Sequence, residues 1–247
     1  MSRHISFHEV KGALAQEGCP ICRLTAEVVE RHLDFMLWER VTDPDLRREV
    51  RQARGFCREH TWALVRAGAS LGIAILLQDV LQDLCTVLEN NASQQTGRAR
   101  RSRRGLRGLG GARPAEDVIN ALSSQLEPQD GQRCPACVQR QMMEDIYLDV
   151  LLDNLVGQDN LATAYQSSDG LCLPHFRYAV RRAHSHEILD VLLRTQLTIW
   201  HRLVQQLSEV IRKHDYRFQA EAWGEEAGAW LTAIAALVGP RLMRGTK

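Results

Sequence analysis

Three things are scarce in this 247-residue chain, and each scarcity closes off a class of protein. Long apolar runs are the first. The N-terminus, Met1 to Glu9, has no apolar h-region, so no secretory leader is expected. The longest apolar stretch near the C-terminus, residues 229–238, covers 10 residues, whereas a membrane helix needs about 20. Charge of one sign is the second. The formal net charge is +1, which gives no general attraction to nucleic acid or to an anionic membrane. Catalytic signatures are the third: no Gly-x-Gly-x-x-Gly, Walker or Gly-x-Ser-x-Gly pattern occurs. The expected setting is the cytoplasm. In a reducing compartment, paired Cys-x2-Cys motifs read as metal or redox sites rather than as a disulfide framework.

What is present is a four-ligand pattern written twice. The first copy is Cys19-Pro20-Ile21-Cys22, then 34 residues, then Cys57-Arg58-Glu59-His60. The second is Cys134-Pro135-Ala136-Cys137, then 34 residues, then Cys172-Leu173-Pro174-His175. Every member of the first set lies 115 residues before its counterpart. The same offset carries Leu33 to Leu148, Leu46 to Leu161, Gly55 to Gly170, Leu77 to Leu192 and Leu88 to Leu203. Matches this far beyond the ligands indicate a duplicated segment.

Three cysteines and a histidine form a donor set suited to a closed tetrahedral site. Each pair sits at an expected helix start, where unpaired N–H groups and the helix dipole favour the thiolate. Residues three apart in a first turn lie on one face. A 34-residue excursion lets the chain leave along one helix and return along another. The expected sites are therefore Cys19, Cys22, Cys57 and His60 in the first half, and Cys134, Cys137, Cys172 and His175 in the second. Two zinc ions per chain fit the softness and number of the donors. An iron–sulfur cluster with histidine ligation and a thiol–disulfide centre at Cys-Pro-x-Cys are the alternatives.

Nearly all of the chain reads as helix. A capping box opens a helix at residue 6, and Asp43-Pro44 opens another. Residues 57–91 read as helical with a break near Gly68 to Gly72, and a last helix is expected over 221–238. Cys85 has no cysteine counterpart and is expected to be a buried helix residue. His184 and His186 read as surface or cap histidines. Between the halves, seven arginines fall within residues 97–113 and no acid accompanies them. This stretch reads as a solvated, mobile linker. Nucleic-acid contact there is the lesser reading, because no aromatics interleave the arginines.

The doubled Cys-Pro-x-Cys … Cys-x-x-His motif on an all-helical chain resembles a bacterial family known as a domain of unknown function. The resemblance covers all but the arginine linker and the C-terminal helix. It implies a helical fold and the eight ligands above, and no activity.

The expectation is thus an all-α protein of two homologous helical repeats with pseudo-two-fold symmetry, each closed by its own Cys3His metal site. Boundaries are expected at 1–91 for the first repeat, 92–113 for the flexible linker, 114–218 for the second repeat and 219–247 for a C-terminal helix and tail. The four long helices are expected to share one core, because the apolar faces of 73–88 and 188–211 are long. The leading function is a non-catalytic zinc-bearing scaffold or adaptor. A redox or iron–sulfur protein, and a nucleic-acid-associated protein using the arginines, are the alternatives.

Overall fold

A computed structural model describes residues 3–103, 115–157 and 161–240. Among the described residues the protein is all-α. The helices are α1 (Arg3–Leu14), α2 (Pro20–Trp38), α3 (Pro44–Gln52), α4 (Arg58–Ala63), α5 (Ser70–Arg103), α6 (Ala115–Leu126), α7 (Pro135–Asp153), α8 (Ala162–Ser167), α9 (Leu173–Arg182), α10 (His186–Lys213) and α11 (Ala229–Val238).

Local chemistry explains several of their starts. Pro20 and Pro135 occupy the first positions of α2 and α7, where a missing N–H costs nothing and φ is already helical. Asp43 caps α3, its carboxylate accepting from the Asp45 N–H at 2.9 Å. Ser185 caps α10 in the same way, accepting from the Ile188 N–H at 3.1 Å. The break expected between Gly68 and Gly72 lies at residues 64–69, between α4 and α5, with Gly68 at φ +79°.

The chain divides into two compact units. The first is Met1–Val29 with Arg140–Lys247, and the second is Glu30–Gln139. This departs from the expected boundaries, because the divisions fall inside α2 and α7. Each unit therefore combines the opening of one sequence half with the remainder of the other. The core of the first unit joins Val10 and Leu14 of α1, Ile21 and Leu24 of α2, and Tyr147, Leu148, Leu151 and Leu152 of α7. Tyr165 of α8 and Leu192 and Ile199 of α10 complete it. In the second unit Leu33, Leu37, Leu46, Val50, Leu64, Leu76 and Val80 are buried. Residues 73–88 and 188–211 fall in different units, so the expected single core for them is corrected. Instead, α5 packs on α3 and α6, while α10 packs on α8 and α11.

The expected linker is also corrected in part. Residues 92–103 continue α5 as helix, and residues 104–113 lie outside the described residues. One stretch, Ser70–Ser93 of α5, is long and apolar enough to cross a membrane, with a mean hydropathy of 1.6. It carries Asp79 and Asp83, which are ion-paired to arginines of α3 and of the turn after it.

Candidate metal centres

Each of the four motif pairs begins at a helix N-cap. The carbonyls of Cys19, Cys57, Cys134 and Cys172 accept the first helical bonds, from Arg23, Thr61, Val138 and Phe176, at 2.8–3.2 Å. The second donor of each pair, Cys22, His60, Cys137 or His175, follows within the first turn. The turns before α4 and α9 contain Gly55 at φ +93° and Gly170 at φ +74°, a backbone region that glycine enters without strain.

The structure gathers all eight expected ligands and corrects how they are grouped. One cluster is Cys19, Cys22, Cys172 and His175, and the other is Cys57, His60, Cys134 and Cys137. Each Cys-Pro-x-Cys thus meets the Cys-x-x-His of the opposite sequence half. The reason lies in the core. Ile21 and Leu24 lie one turn from Cys19 and Cys22, and they are buried with residues of α7, α8 and α10. Packing of that apolar face brings the first Cys-Pro-x-Cys to α9 rather than to α4.

In the first cluster, His175 Nδ1 lies 3.5 Å from Cys19 Sγ, 3.2 Å from Cys22 Sγ and 3.2 Å from Cys172 Sγ. Cys22 and Cys172 sulfurs are 3.6 Å apart. In the second, His60 Nδ1 lies 3.3 Å from Cys57 Sγ, 3.4 Å from Cys134 Sγ and 3.3 Å from Cys137 Sγ. Cys57 and Cys137 sulfurs are 3.6 Å apart. Donors bonded tetrahedrally to one zinc ion would lie about 3.8 Å apart for two sulfurs and about 3.6 Å for sulfur and nitrogen. The observed edges match this shape to within a few tenths of an ångström. All seven cysteines are free thiols.

The electrostatics of the first cluster point to a cation. Burial opposes ionisation of Cys19, but hydrogen bonds from Cys172, Cys22 and His175 outweigh it and hold this thiol well below its ordinary pKa. Cys22 is pushed strongly upward, by its hydrogen bonds to Cys172 and Cys19 and then by burial. Burial also disfavours a charged His175, yet hydrogen bonds to Cys172, Cys19 and Glu144 raise it to about 11. Three adjacent thiolates repel one another unless a positive ion lies between them. The second cluster follows the same rule, with burial first and then Cys134 pushing Cys137 up to about 12.

The surroundings of the clusters include residues that motif reading missed. Glu144 Oε1 lies 3.4 Å from His175 Nε2, the ring nitrogen turned away from the sulfurs. A carboxylate in this position fixes the tautomer and orientation of a ligating imidazole. Gln196 of α10 is fully buried. It accepts from the Leu171 N–H at 3.0 Å and donates to the Leu171 carbonyl at 3.2 Å, clamping the residue before Cys172. Tyr165 donates to the same Gln196 oxygen. A polar residue between Leu192 and Ile199 at core spacing was the available signal for Gln196. For Glu144 there was none.

The half-sites are also tied together by the residue before each turn glycine. The Gly18 N–H donates to Asp169 Oδ2 at 2.6 Å. In the second unit Arg54 takes the equivalent position, donating to the carbonyls of Glu127, at 3.3 Å, and Gln125. Gly239, after α11, lies against Cys22; a Cβ placed there would be 3.4 Å from its sulfur. Cys85, expected to be buried, is exposed on α5. His186, the first residue of α10 after its Ser185 cap, and His184, beside Asp153, are both exposed.

Comparison with known proteins gives a relative and a family. An uncharacterized 23.9 kDa protein in the xynA 3′ region of Caldicellulosiruptor sp. (strain Rt8B.4) is 21% identical over 225 residues, covering 91% of this chain and 96% of the relative. No solved structure matches the chain. The family match spans residues 1–242, both clusters included, and the chain therefore belongs to the family of unknown function DUF6062.

Proposed function

We propose that each cluster holds one zinc ion and that the protein is a non-catalytic helical scaffold or adaptor. The observation that carries this reading is the pair of four-donor clusters with the edge lengths of a tetrahedron around a single ion. Soft thiolate-rich sets favour zinc. Donor separations of 3.2–3.6 Å leave room for one ion between them, whereas an iron–sulfur cluster several atoms wide would spread its ligands. A complete set of four protein donors keeps no position for water, and metal-assisted hydrolysis needs one. Each ion would then clamp two distant helix starts and contribute to folding.

The common offset also links the starts of α2 and α7, and of α4 and α9. It supports a duplicated chain whose copies have exchanged their Cys-Pro-x-Cys segments. The ion pairs of Asp79 and Asp83 within the second unit support α5 as a helix of a cytoplasmic protein. The arginine segment plays no part in this reading. A gel shift at about 50 mM salt, where phosphate contacts are strong, would assign it to nucleic acid instead.

Elemental analysis of anaerobically purified protein, with an absorbance spectrum, tests the reading. Two zinc equivalents and no visible band are expected. Iron with sulfide and a broad band near 400 nm (about the region of sulfide-to-iron charge transfer) would transfer the protein to the electron-transfer or sensor class.

A further inference from the structure

The two clusters share donors and spacing but differ in access. Cys19, Cys22 and Cys172 are all buried, whereas Cys57 and Cys137 are each partly exposed. These two are also neighbours, their sulfurs 3.6 Å apart. We propose that Cys57 and Cys137 form a peroxide-reactive dithiol that closes to a disulfide and dismantles the second metal centre while the first remains intact.

The inference rests on the metal reading above, because a sulfur that serves as a ligand is a thiolate, and the thiolate is the nucleophile. One thiolate of the pair attacks a peroxide oxygen. The O–O bond breaks, hydroxide leaves, and the cysteine becomes a sulfenic acid. The second thiolate then attacks that sulfur and expels a second hydroxide. Two protons from solvent convert both hydroxides to water. The two sulfurs together lose two electrons to one hydrogen peroxide, and one S–S bond forms. Closing from 3.6 Å to the bonded distance of about 2.05 Å needs a shift of roughly 1.5 Å shared between two side chains. Cys134 and His60 remain as two donors, too few for a closed site.

The first cluster has a pair at the same separation, Cys22 and Cys172 at 3.6 Å. Proximity alone therefore does not choose between them. Access does: Cys172 is 1% exposed and Cys22 7% exposed, and Gly239 abuts the Cys22 sulfur.

The test uses full-length protein carrying Cys85→Ser, which removes the exposed seventh thiol and no ligand. The protein is loaded with zinc, and its content is fixed by elemental analysis. Hydrogen peroxide is then added, zinc release is followed with a chromogenic chelator, and disulfides are mapped by non-reducing mass spectrometry. The first equivalent is expected to leave roughly tenfold or more faster than the second, reflecting thiolate accessibility. Its loss should coincide with a Cys57–Cys137 disulfide, and reduction followed by zinc should restore the second equivalent. Release of both equivalents together overturns the inference. So does a first disulfide between any other pair, or irreversible oxidation without a disulfide. A starting content below two equivalents overturns the metal reading, and the inference with it.

Discussion

The cluster of Cys19, Cys22, Cys172 and His175 has all four of its donor residues buried. That of Cys57, His60, Cys134 and Cys137 leaves two of its four donors partly exposed. The ligands, their spacing and the helix starts that present them are the same. The supports differ. Gln196 clamps the backbone before Cys172, but the residue at the corresponding place in the other unit is Leu81, which is exposed. Glu144 faces the far nitrogen of His175 in the first cluster. In the first cluster Gly239, after α11, lies against the Cys22 sulfur. Donor identity sets what a site can bind. The surrounding residues set how firmly it is held and what else can reach it.

The largest effects should come from the ligands. Cys19→Ser combined with His175→Ala removes two donors from one cluster and should cost one zinc equivalent. Cys19→Ser combined with His60→Ala strikes both clusters and should cost two. The groupings expected from sequence order alone reverse these outcomes, so metal content of the two double variants decides between them. Loss of an ion should also unfold its own unit, since structural zinc contributes on the order of 10 kcal/mol. Circular dichroism during chelation should show two steps, with the more accessible second cluster first.

Next in size are the supports. Gln196→Ala leaves the Leu171 backbone groups and the Tyr165 hydroxyl without their buried partner. It should destabilise the first unit by about 1–3 kcal/mol and speed zinc loss there. Leu81→Ala at the corresponding exposed place should fall within about 0.5 kcal/mol of the parent. Equal effects of the two would dissolve the contrast between the centres. Denaturant titration with metal release as a second signal reads both.

The turn glycines sharpen the contrast further. At Gly170 an added Cβ would meet Gln196 at 2.9 Å and Ile199 at 3.0 Å, besides the positive φ. At Gly55 nothing lies within 4 Å, so only the backbone cost of about 1–2 kcal/mol applies. Gly170→Ala should therefore lower the unfolding midpoint more than Gly55→Ala.

The smallest effect concerns acid. Hydrogen bonds from Arg47, then from Arg51, outweigh burial and hold the Asp79 carboxyl below its ordinary pKa. A carboxylate depressed in this way stabilises the fold above the unfolded pKa of about 3.9. That contribution is lost as pH falls through the depressed value. Asp79→Asn should remove this part of the acid limb and lower the neutral-pH midpoint slightly, in the second unit only.

Much of this was legible in the residues. Asp43 announces its helix by capping chemistry. Pro20 and Pro135 fix two helix starts, and Gly55 and Gly170 mark turns that require positive φ. These are local signals, decided within a few residues. The linker boundary was misread because residues 92–103 are polar, and polarity alone does not stop a helix that already runs from Ser70. Cys85 was misread because its burial depends on whether another element covers that face of α5, which no local pattern records.

The sequence by itself determined the eight donors, their presentation in pairs at helix N-termini, and the all-helical class. Those follow from side-chain chemistry and from spacings of three residues. Which pairs share a centre was decided only by tertiary structure. Either Cys-Pro-x-Cys can serve either Cys-x-x-His, because the half-sites are chemically interchangeable and the 34-residue excursions are identical. The choice was made by the apolar residues beside them, as Ile21 and Leu24 buried themselves among Leu151, Tyr165 and Leu192 and carried Cys19 and Cys22 to Cys172 and His175.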